Sequence, residues 1–571
     1  MAARLVGLPM GIAALVLLLA ACGGGGSSGT SPPAAPPPPP AVIQPSAADT
    51  SRLLDQATFG VTQTDVAHVQ AEGFAAYLAE QLAAPASRYT GFSYTPHTAP
   101  VDCRTDPATP TDASSICARD KYSLFQVQRQ FFMNALNDPD QLRQRVAFAL
   151  SQIFVVSGIE VYEAYGMANY QNMLLNDAFG NFRDLLQDVT LSPVMGRYLD
   201  MAANYKSDPA RGTAPNENYG REVLQLMSIG LYELNPDGSQ QLDNTGAPMP
   251  TYDQSVVIGF AAAFTGWTYA PMAGATSSWA NPLDYDGVMV AFDSEHEPGP
   301  KTLLNGFTVP AGQTSAQDLK MALDDIFNHP NVGPFIGKQL IQHLVTSNPS
   351  PAYVARISAV FADNGSGVRG DMAAVVKAIL TDPEARGDTP ASSGFGHLRE
   401  PALFITSMLR SLGGQSDGVL PRGAISGMGQ PIYTAVGIQF LSAEFRTARF
   451  ANIGARVRRR QRGNGPGARQ FREHCHHEGR RRSGPHGDRQ HRHEHRSFHA
   501  RRNDDSSRRD FSPESKVDAW HAIECGKRNR SGGDERAEHR GSVGGAARGC
   551  LSHAHFRTIP SGALTCSVAI F

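Results

Sequence analysis

The sequence predicts a mainly α-helical protein, with one large helical domain, a small β-hairpin insertion and a disordered C-terminal tail. Apolar residues recur at helical spacing through most of residues 49–434, for example at Leu142, Val146, Leu150 and Ile153. Two turn signals between residues 234 and 252 interrupt this pattern and indicate the hairpin. From about residue 443 onward Arg, Gly and His replace the periodic apolar residues, a composition that cannot bury enough apolar surface to fold.

The N-terminus has the layout of a bacterial lipoprotein signal. Arg4 precedes an apolar run over residues 12–19 that is too short to span a membrane, and a Leu-Ala-Ala-Cys sequence ends at Cys22. We expect residues 1–21 to be removed as a signal peptide and the Cys22 thiol to be lipidated. An ordinary signal peptide with a chance cysteine is the alternative. Gly23, in place of Asp, resembles sorting to the outer membrane of a Gram-negative bacterium.

Two further features agree with export. Residues 22–48 are rich in Gly, Ser and Pro, which predicts a tether that holds the body off a membrane. Cys103 and Cys117 bracket a polar stretch, and a disulfide between them is the simplest interpretation in an oxidising compartment. Such a loop gains about 3 kcal/mol in the chain-entropy model. A metal pair is the rival interpretation, but no further Cys or His lies nearby.

The remaining elements follow from apolar spacing and capping residues. Helices are predicted near residues 62–68, 73–82, 122–136 and 138–156, with one or two more within 162–189. A central helix begins at an Asn216 cap and stops at Gly230. Turns at 235–238 and 244–246 define the hairpin, and a capping box at 251–254 begins the next helix. Further helices are predicted at 316–328, 332–345, 351–362, 371–380 and 401–412.

The polar face of the central helix is the first candidate site. Glu217, Asn218, Arg221 and Glu222 lie within two helical turns. One carboxylate is a candidate general base, Arg221 is a candidate for orienting an anionic substrate, and Asn218 is a candidate binding residue. The structural alternatives are a surface pair between Glu217 and Arg221, or buried pairing of Arg221 with Glu222 that ties helices together.

His296 and Lys301 form the second candidate, in an irregular stretch that also carries Asp293, Glu295 and Glu297. Such a loop predicts divalent-metal or acid–base chemistry, and an exposed acidic loop with a stray histidine is the alternative. No ligand spacing typical of a metal site supports a metal here. The body also lacks G-x-S-x-G, Walker, H-E-x-x-H and G-x-G-x-x-G motifs, which disfavours common hydrolase, nucleotide-binding and zinc-protease functions.

Five stretches of the body together resemble a bacterial family catalogued as a domain of unknown function, DUF1800. In chain order they are Arg52-Leu53-Leu54 through Ala57-Thr58-Phe59-Gly60, Asn216-Glu217-Asn218-Tyr219 with Arg221-Glu222, Phe264-Thr265-Gly266-Trp267, Leu344-Val345-Thr346-Ser347-Asn348-Pro349 and Leu398-Arg399-Glu400-Pro401. The resemblance implies a large helical, exported protein without an established activity. Because such proteins are often encoded beside a sulfatase-like family, it also implies an exported, sulfatase-like partner.

Two family features differ in this chain. Many members carry Trp-His-Asn-His in the helix after the first arginine pair, whereas the corresponding positions here are Leu150, Ser151, Gln152 and Ile153. A metal site built on those histidines is therefore not expected. The family's His-Asp-x-Gly-x-Lys motif is present at residues 296–301, with Glu297 in place of Asp.

The tail departs from the family altogether. The family continues with a sequence like Pro-Ser-Val-Phe-Asn-Phe-Tyr, whereas residues 435–442 read Ala-Val-Gly-Ile-Gln-Phe-Leu-Ser. One choice of codons for this stretch, read one base later, encodes the family sequence. We therefore hypothesise a frameshift near codon 435, which makes residues 435–571 out-of-frame translation. The alternative is a genuine basic tail in which histidines near Cys475 bind metal or nucleic acid. Under the frameshift hypothesis we expect no nucleic-acid partner.

These observations predict a lipid-anchored envelope protein that binds or assembles with another exported protein. The alternative is a hydrolase-like envelope enzyme that acts on an extracellular polymer through Glu217, Arg221, Glu222 and His296. No sequence feature indicates a cofactor.

Overall fold

The computed structural model describes residues 44–103, 113–210, 212–392 and 394–435. In these ranges the chain forms seventeen α-helices and four two-residue β-strands, which confirms the mainly helical class. No helix in the described ranges is long and apolar enough to cross a membrane. The predicted signal peptide, most of the tether and the tail beyond residue 435 lie outside the described residues, so those predictions stay predictions.

The helices fall on either side of the predicted hairpin region. Those before it are α1 (Ala47–Ala57), α2 (Gln63–Glu72), α3 (Phe74–Ala83), α4 (Ala113–Lys121), α5 (Phe125–Asn137), α6 (Gln141–Ile153), α7 (Ala164–Asp177), α8 (Phe182–Leu191), α9 (Pro193–Tyr198) and α10 (Asn218–Gln225). Those after it are α11 (Gln254–Ala263), α12 (Ser315–Asn328), α13 (Val332–Leu344), α14 (Pro351–Ala362), α15 (Met372–Thr381), α16 (Pro401–Ser411) and α17 (Val419–Gly427).

Four short strands form two antiparallel pairs between α11 and α12. Strand β1 (Trp267–Thr268) pairs with β2 (Val290–Ala291), and β3 (Lys301–Thr302) pairs with β4 (Thr308–Val309). The second pair packs against α11. These pairs hold the irregular segment that carries His296 close to the helices.

Helix α6 is the centre of the core. Every residue of this helix except Arg143 is buried, because apolar residues at helical spacing are joined by polar residues that also find partners. Arg145 is an example: it is 1% exposed, and its guanidinium donates to the His343 carbonyl of α13 at 2.5 Å. Helices α7 and α13 pack against α6, and α14 packs against α13.

The central helix is shorter than predicted. Asn216 Oδ1 accepts from the Asn218 backbone N–H at 2.9 Å, but the helix itself begins at Asn218 and ends at Gln225. The prediction of a helix reaching Gly230 was wrong because the backbone loosens after Gln225. Met227 N–H bonds to the carbonyl of Glu222, five residues back, and Gly230 adopts a positive φ of 77°.

Residues 231–250 form two successive hairpins that we call the meander. Isolated antiparallel bridges join Tyr232 to Pro250, Leu234 to Gln240 and Leu242 to Pro248. The two predicted turns are present, and Gly238 and Gly246 supply the positive φ angles that such turns need. This confirms the small hairpin insertion.

The predicted capping box at the start of α11 was wrong. Asp253, not Thr251, precedes the helix, and its carboxylate accepts from the backbone N–H groups of Ser255 and Val256. Thr251 is buried instead, and its hydroxyl donates to the Gly230 carbonyl at 2.6 Å. The hydroxyl is therefore already used at the base of the meander, and the aspartate takes the cap.

Candidate functional site

The polar face of α10 carries a small exposed network. Arg221 Nη2 lies 2.5 Å from Glu217 Oε2, one helical turn away, and both side chains are partly exposed. Gln254 of α11 joins this pair: its amide donates to Glu217 Oε2 at 2.7 Å, and its carbonyl oxygen lies 3.3 Å from the Arg221 guanidinium. Asn218 stands apart from these three and donates to Asp200 at 2.8 Å. The geometry favours the surface-pair alternative for Glu217 and Arg221.

Glu222 differs from its neighbours because its carboxyl turns inward. Burial raises its pKa, and Arg221 lowers it. Its Oε2 is buried and has no hydrogen-bond partner among the described residues, and the same holds for the Tyr252 hydroxyl. Burial, with Glu222 adding to it, raises the pKa of Tyr252 to about 12. A part-buried carboxyl that keeps its proton more readily is able to act as a general acid.

His296 and Lys301 meet on a carboxylate from α12. His296 Nε2 lies 2.9 Å from Asp318 Oδ2, and Lys301 Nζ lies 2.5 Å from the same oxygen. All three side chains are buried. The other imidazole nitrogen, Nδ1, lies 2.9 Å from the Thr265 carbonyl and 3.0 Å from its hydroxyl.

This buried triad explains the spacing of the motif at residues 296–301. The chain folds back so that both side chains reach Asp318, and Lys301 Nζ also donates to the carbonyls of Glu297 and Gly299. The stretch is thus not an exposed loop at His296. Since both ring nitrogens are already engaged, the geometry favours a structural role for His296 and Lys301 over metal binding or catalysis.

The positions that align with the family's histidines lie at the end of α6. They are Ser151 and the buried Ile153, of which Ser151 lines a cavity of about 570 Å³, counted with its open mouth. Gln152, Glu400 and Ala435 line the same cavity. Ser151 donates to the Phe148 carbonyl at 2.8 Å. Among the described residues, no group of three or more His, Cys, Asp or Glu side chains is placed to hold a metal ion.

Three of the candidate residues, all cysteines, concern covalent structure. Cys103 and Cys117 form a disulfide with their Cα atoms 5.1 Å apart, which joins the loop after α3 to α4. Cys22, the predicted lipidation site, lies outside the described residues.

Other residues of chemical interest have no signal in the sequence. Asp318 belongs to the buried triad, yet it is one of several acidic residues on α12. Glu163 is a wholly buried carboxylate that contacts His97 at 2.5 Å. His97 lies in a stretch without periodicity, and an acidic residue just before a helix is too common to attract attention.

Comparison with known proteins gives one match. A family model described as "Protein of unknown function (DUF1800)" matches residues 52–441. No curated protein and no solved structure matches the chain significantly.

Proposed function

This chain belongs to the DUF1800 family of proteins of unknown function, and from that premise we propose that it is a lipid-anchored envelope protein that binds another exported protein through the meander. The sulfatase-like proteins implied by the family resemblance are the first partners to test. Family membership supplies no activity, so the proposal is argued from surface chemistry.

The observation that carries the proposal is the apolar face of the meander. Residues that face each other across antiparallel strands place their side chains on the same side. The bridges therefore put Tyr232, Leu242, Pro248 and Pro250 on one face, and all four are exposed. Leu242 alone is 57% exposed. Contiguous exposed apolar and tyrosine side chains are typical of protein interfaces.

Hydrogen bonds hold the base of the meander in place, and a fixed segment binds a partner at a lower entropy cost than a flexible loop does. The buried side chain of Asn331, just before α13, donates to the carbonyls of Ile229 and Tyr232 and accepts from the Leu234 N–H, all at 2.8–2.9 Å. The apolar face is thus presented in a fixed position, which lowers the entropy cost of association.

The test is Leu242→Ser, with Ile258→Ser as a matched control on α11. Ile258 is 51% exposed but lies outside the meander. After cross-linking in intact cells, we expect the wild type and Ile258→Ser to retain a stoichiometric exported partner, and Leu242→Ser to lose it by about tenfold or more. Unchanged thermal melting would show that folding is intact. Retention of the partner by Leu242→Ser contradicts the proposal.

The lipid anchor is tested separately with Cys22→Ala. We expect the wild type to incorporate labelled palmitate and to sediment with membranes, and the variant to do neither. If Cys22→Ala still carries the label, the lipobox interpretation is wrong, whatever the result for the meander.

The alternative function is a hydrolase-like envelope enzyme, and Glu222 is the observation that favours it. Its raised pKa and inward carboxyl suit a general acid. Glu222→Gln and Glu222→Ala distinguish the two alternatives. If both variants fold normally yet lose the cellular phenotype of the protein, a chemical role is supported. If both unfold, Glu222 is structural.

A further inference from the structure

His97 and Glu163 form a pair that runs from the core to the surface. Glu163 precedes α7 and is 0% exposed, and its Oε1 lies 2.5 Å from His97 Nδ1. The His97 side chain is 41% exposed. Burying a carboxylate is unfavourable unless a partner offsets the lost hydration, and here the partner found among the described residues is a solvent-facing imidazole.

The second carboxylate oxygen of Glu163 lies in the core. Glu163 Oε2 is buried and has no hydrogen-bond partner among the described residues, and the buried Tyr285 hydroxyl has none either. A fold that needed only to neutralise the charge would satisfy both oxygens. The arrangement instead commits the carboxylate to one contact, the imidazole.

That contact fixes the imidazole. A carboxylate only accepts hydrogen bonds, so in the neutral imidazole Nδ1 carries the proton and Nε2 presents a lone pair. No hydrogen bond within the described part of the chain uses Nε2. The ring of Tyr162 packs on His97 with centroids 5.5 Å apart. Its hydroxyl donates to the His97 carbonyl at 3.2 Å and lies 3.3 Å from Nδ1, farther than the Glu163 carboxylate at 2.5 Å.

The loop that carries His97 is anchored as well. The backbone N–H of Tyr89 donates to Asn172 Oδ1, and the Asn172 amide donates back to the Tyr89 carbonyl, both at 2.9 Å. The disulfide at Cys103 ties down the other side of the loop. His97 is therefore presented by a segment held at both ends.

The surroundings of His97 indicate what kind of ligand fits. Three half-buried tyrosines form what we call the tyrosine cluster: Tyr162 packs on His97, and Tyr122 interacts electrostatically with both Tyr162 and Tyr94. Burial, followed by the negative charge of Glu163, raises the pKa of Tyr122. Asp102 adds to the same field, and Glu160 lies two residues before Tyr162. The positive charge of Arg197 opposes this field at Tyr162, but the carboxylates of Glu163, Asp102 and Glu160 outnumber it and disfavour anions. Tyrosine faces, in contrast, pack well against the C–H faces of a neutral sugar ring.

We propose that His97 and the tyrosine cluster bind a neutral sugar unit, with His97 Nε2 accepting a hydrogen bond from a sugar hydroxyl. Glu163 is the positioning residue: it touches no ligand but fixes the tautomer and orientation of the imidazole. The site is distinct from the meander, so it stands or falls independently of the partner-binding proposal.

The positioning role is tested by carbethoxylation of histidines with diethyl pyrocarbonate at pH 8, read by mass spectrometry. His68 is a matched internal control: its side chain is 40% exposed and lies 2.7 Å from Glu80, but Glu80 is 51% exposed. We expect Glu163→Gln to slow modification of His97 by about tenfold and to leave His68 unchanged. Glu80→Gln should change His68 far less. If Glu163→Gln instead speeds modification of His97, the pair merely holds the loop closed and the proposal fails.

The ligand class is tested in the same assay with maltohexaose and cellohexaose as neutral probes and polygalacturonate as an anionic one. We expect at least one neutral probe to protect His97 and not His68, and polygalacturonate to protect neither. Tyr162→Ala should abolish the protection. The sugar proposal is overturned if no neutral probe protects His97, if His68 is protected equally, or if polygalacturonate protects as well.

Discussion

At the scale of single residues, burial decides what a charged side chain does. In the core, one carboxylate oxygen of Asp318 contacts both His296 and Lys301. On the opposite side of α12, Lys320 and Asp324 form an ion pair of the same length, 2.5 Å, but Lys320 is 72% exposed. The charges of Lys301 and Asp318 are shielded from water, so their stability depends on the contact between them. Solvent screens the exposed Lys320–Asp324 pair, so that contact contributes little.

We therefore expect Lys301→Met to lower the free energy of unfolding by about 3–5 kcal/mol, because it leaves the buried carboxylate of Asp318 with one partner fewer. Lys320→Met is the control, and its effect should be a small fraction of that. Urea denaturation of both variants measures the difference. Equal losses of unfolding free energy in the two variants would show that burial does not make the Lys301–Asp318 contact more important than the exposed pair.

Asp177 makes the stability of the fold depend on pH, because burial favours the protonated form of its carboxyl. Burial, together with Asp188 and Asp184, raises its pKa to about 7, and its Oδ2 has no hydrogen-bond partner among the described residues. The folded protein holds this proton more tightly than the unfolded chain, so stability falls as pH rises from about 4 to about 7. We expect Asp177→Asn to raise Tm at pH 8 by about 1–3 °C, a modest value because the carboxyl is part-exposed.

The gain should shrink as pH falls toward 4, because the carboxyl of the unfolded wild-type chain then begins to be protonated as well. Thermal melts at pH 5 and pH 8 test this dependence. A gain that is the same at both pH values would mean that the substitution acts through packing and not through the charge.

Sequence spacing could predict only contacts between residues near one another in the chain. The Glu217–Arg221 pair follows from helical geometry alone. The meeting of His296 and Lys301 on Asp318 does not, because it requires knowing that α12 packs under the segment that carries them. The His97–Glu163 pair was beyond reach for the same reason: it depends on how an aperiodic loop lies against α7.

At the scale of elements, strongly periodic helices were predictable and short or irregular ones were not. The helices α12 to α16 lie within two residues of their predicted bounds. Helices α1, α4, α9 and α17 have no counterpart in the prediction; α9 spans only six residues, and α17 contains two glycines. Length does not explain the failure at α1, which at eleven residues is as long as α16. Helices as short as α9 owe their stability to packing more than to propensity.

The meander gives the prediction at this scale. Asn331→Ala removes two donors and one acceptor that hold residues 229–234, and each buried backbone group left without a partner costs about 1–3 kcal/mol. We expect the Leu234 amide to exchange with deuterium much faster in the variant, while α14 stays protected. Asn235→Ala is the control, since the Asn235 side-chain amide donates to the Ser239 hydroxyl within the turn and, among the described residues, to no other group. Unchanged exchange at Leu234 would show that the meander is stable without the hydrogen bonds of Asn331.

At the scale of the whole molecule, the exposed apolar surface is concentrated near the end of the described chain. Six of the seventeen exposed large hydrophobic side chains lie within residues 398–428, which make up a small part of the described sequence. They are Leu398, Phe404, Leu412, Val419, Leu420 and Met428. Phe404 and Met408 on α16, with Leu412 directly after its end, recur at four-residue spacing on a second face, so this helix is apolar on both sides. The cavity beside α6 opens in the same region, with Ala435 in its wall.

An uncovered apolar surface at this place is what the frameshift hypothesis predicts, because the lost family segment would begin at Ala435. The Ala435 carbonyl accepts from the Ser157 hydroxyl at 2.6 Å, so the last described residue has a fixed position beside the cavity. We expect resequencing across codons 425–460 to show an extra or missing base relative to the recorded gene. The recorded sequence, if confirmed, would mean a genuine frameshifted allele.

Restoring the reading frame tests the physical consequence in either case. We expect the restored protein to melt at a higher temperature than a chain ending at residue 435, because new apolar contacts cover α16. A cysteine introduced as Phe404→Cys should react with a maleimide more slowly in the restored chain, while Ile258→Cys, on the distant surface of α11, should react equally in both. Equal reactivity at position 404, together with equal melting temperatures, would mean that the residues after 435 do not cover this face and that its exposure has another cause.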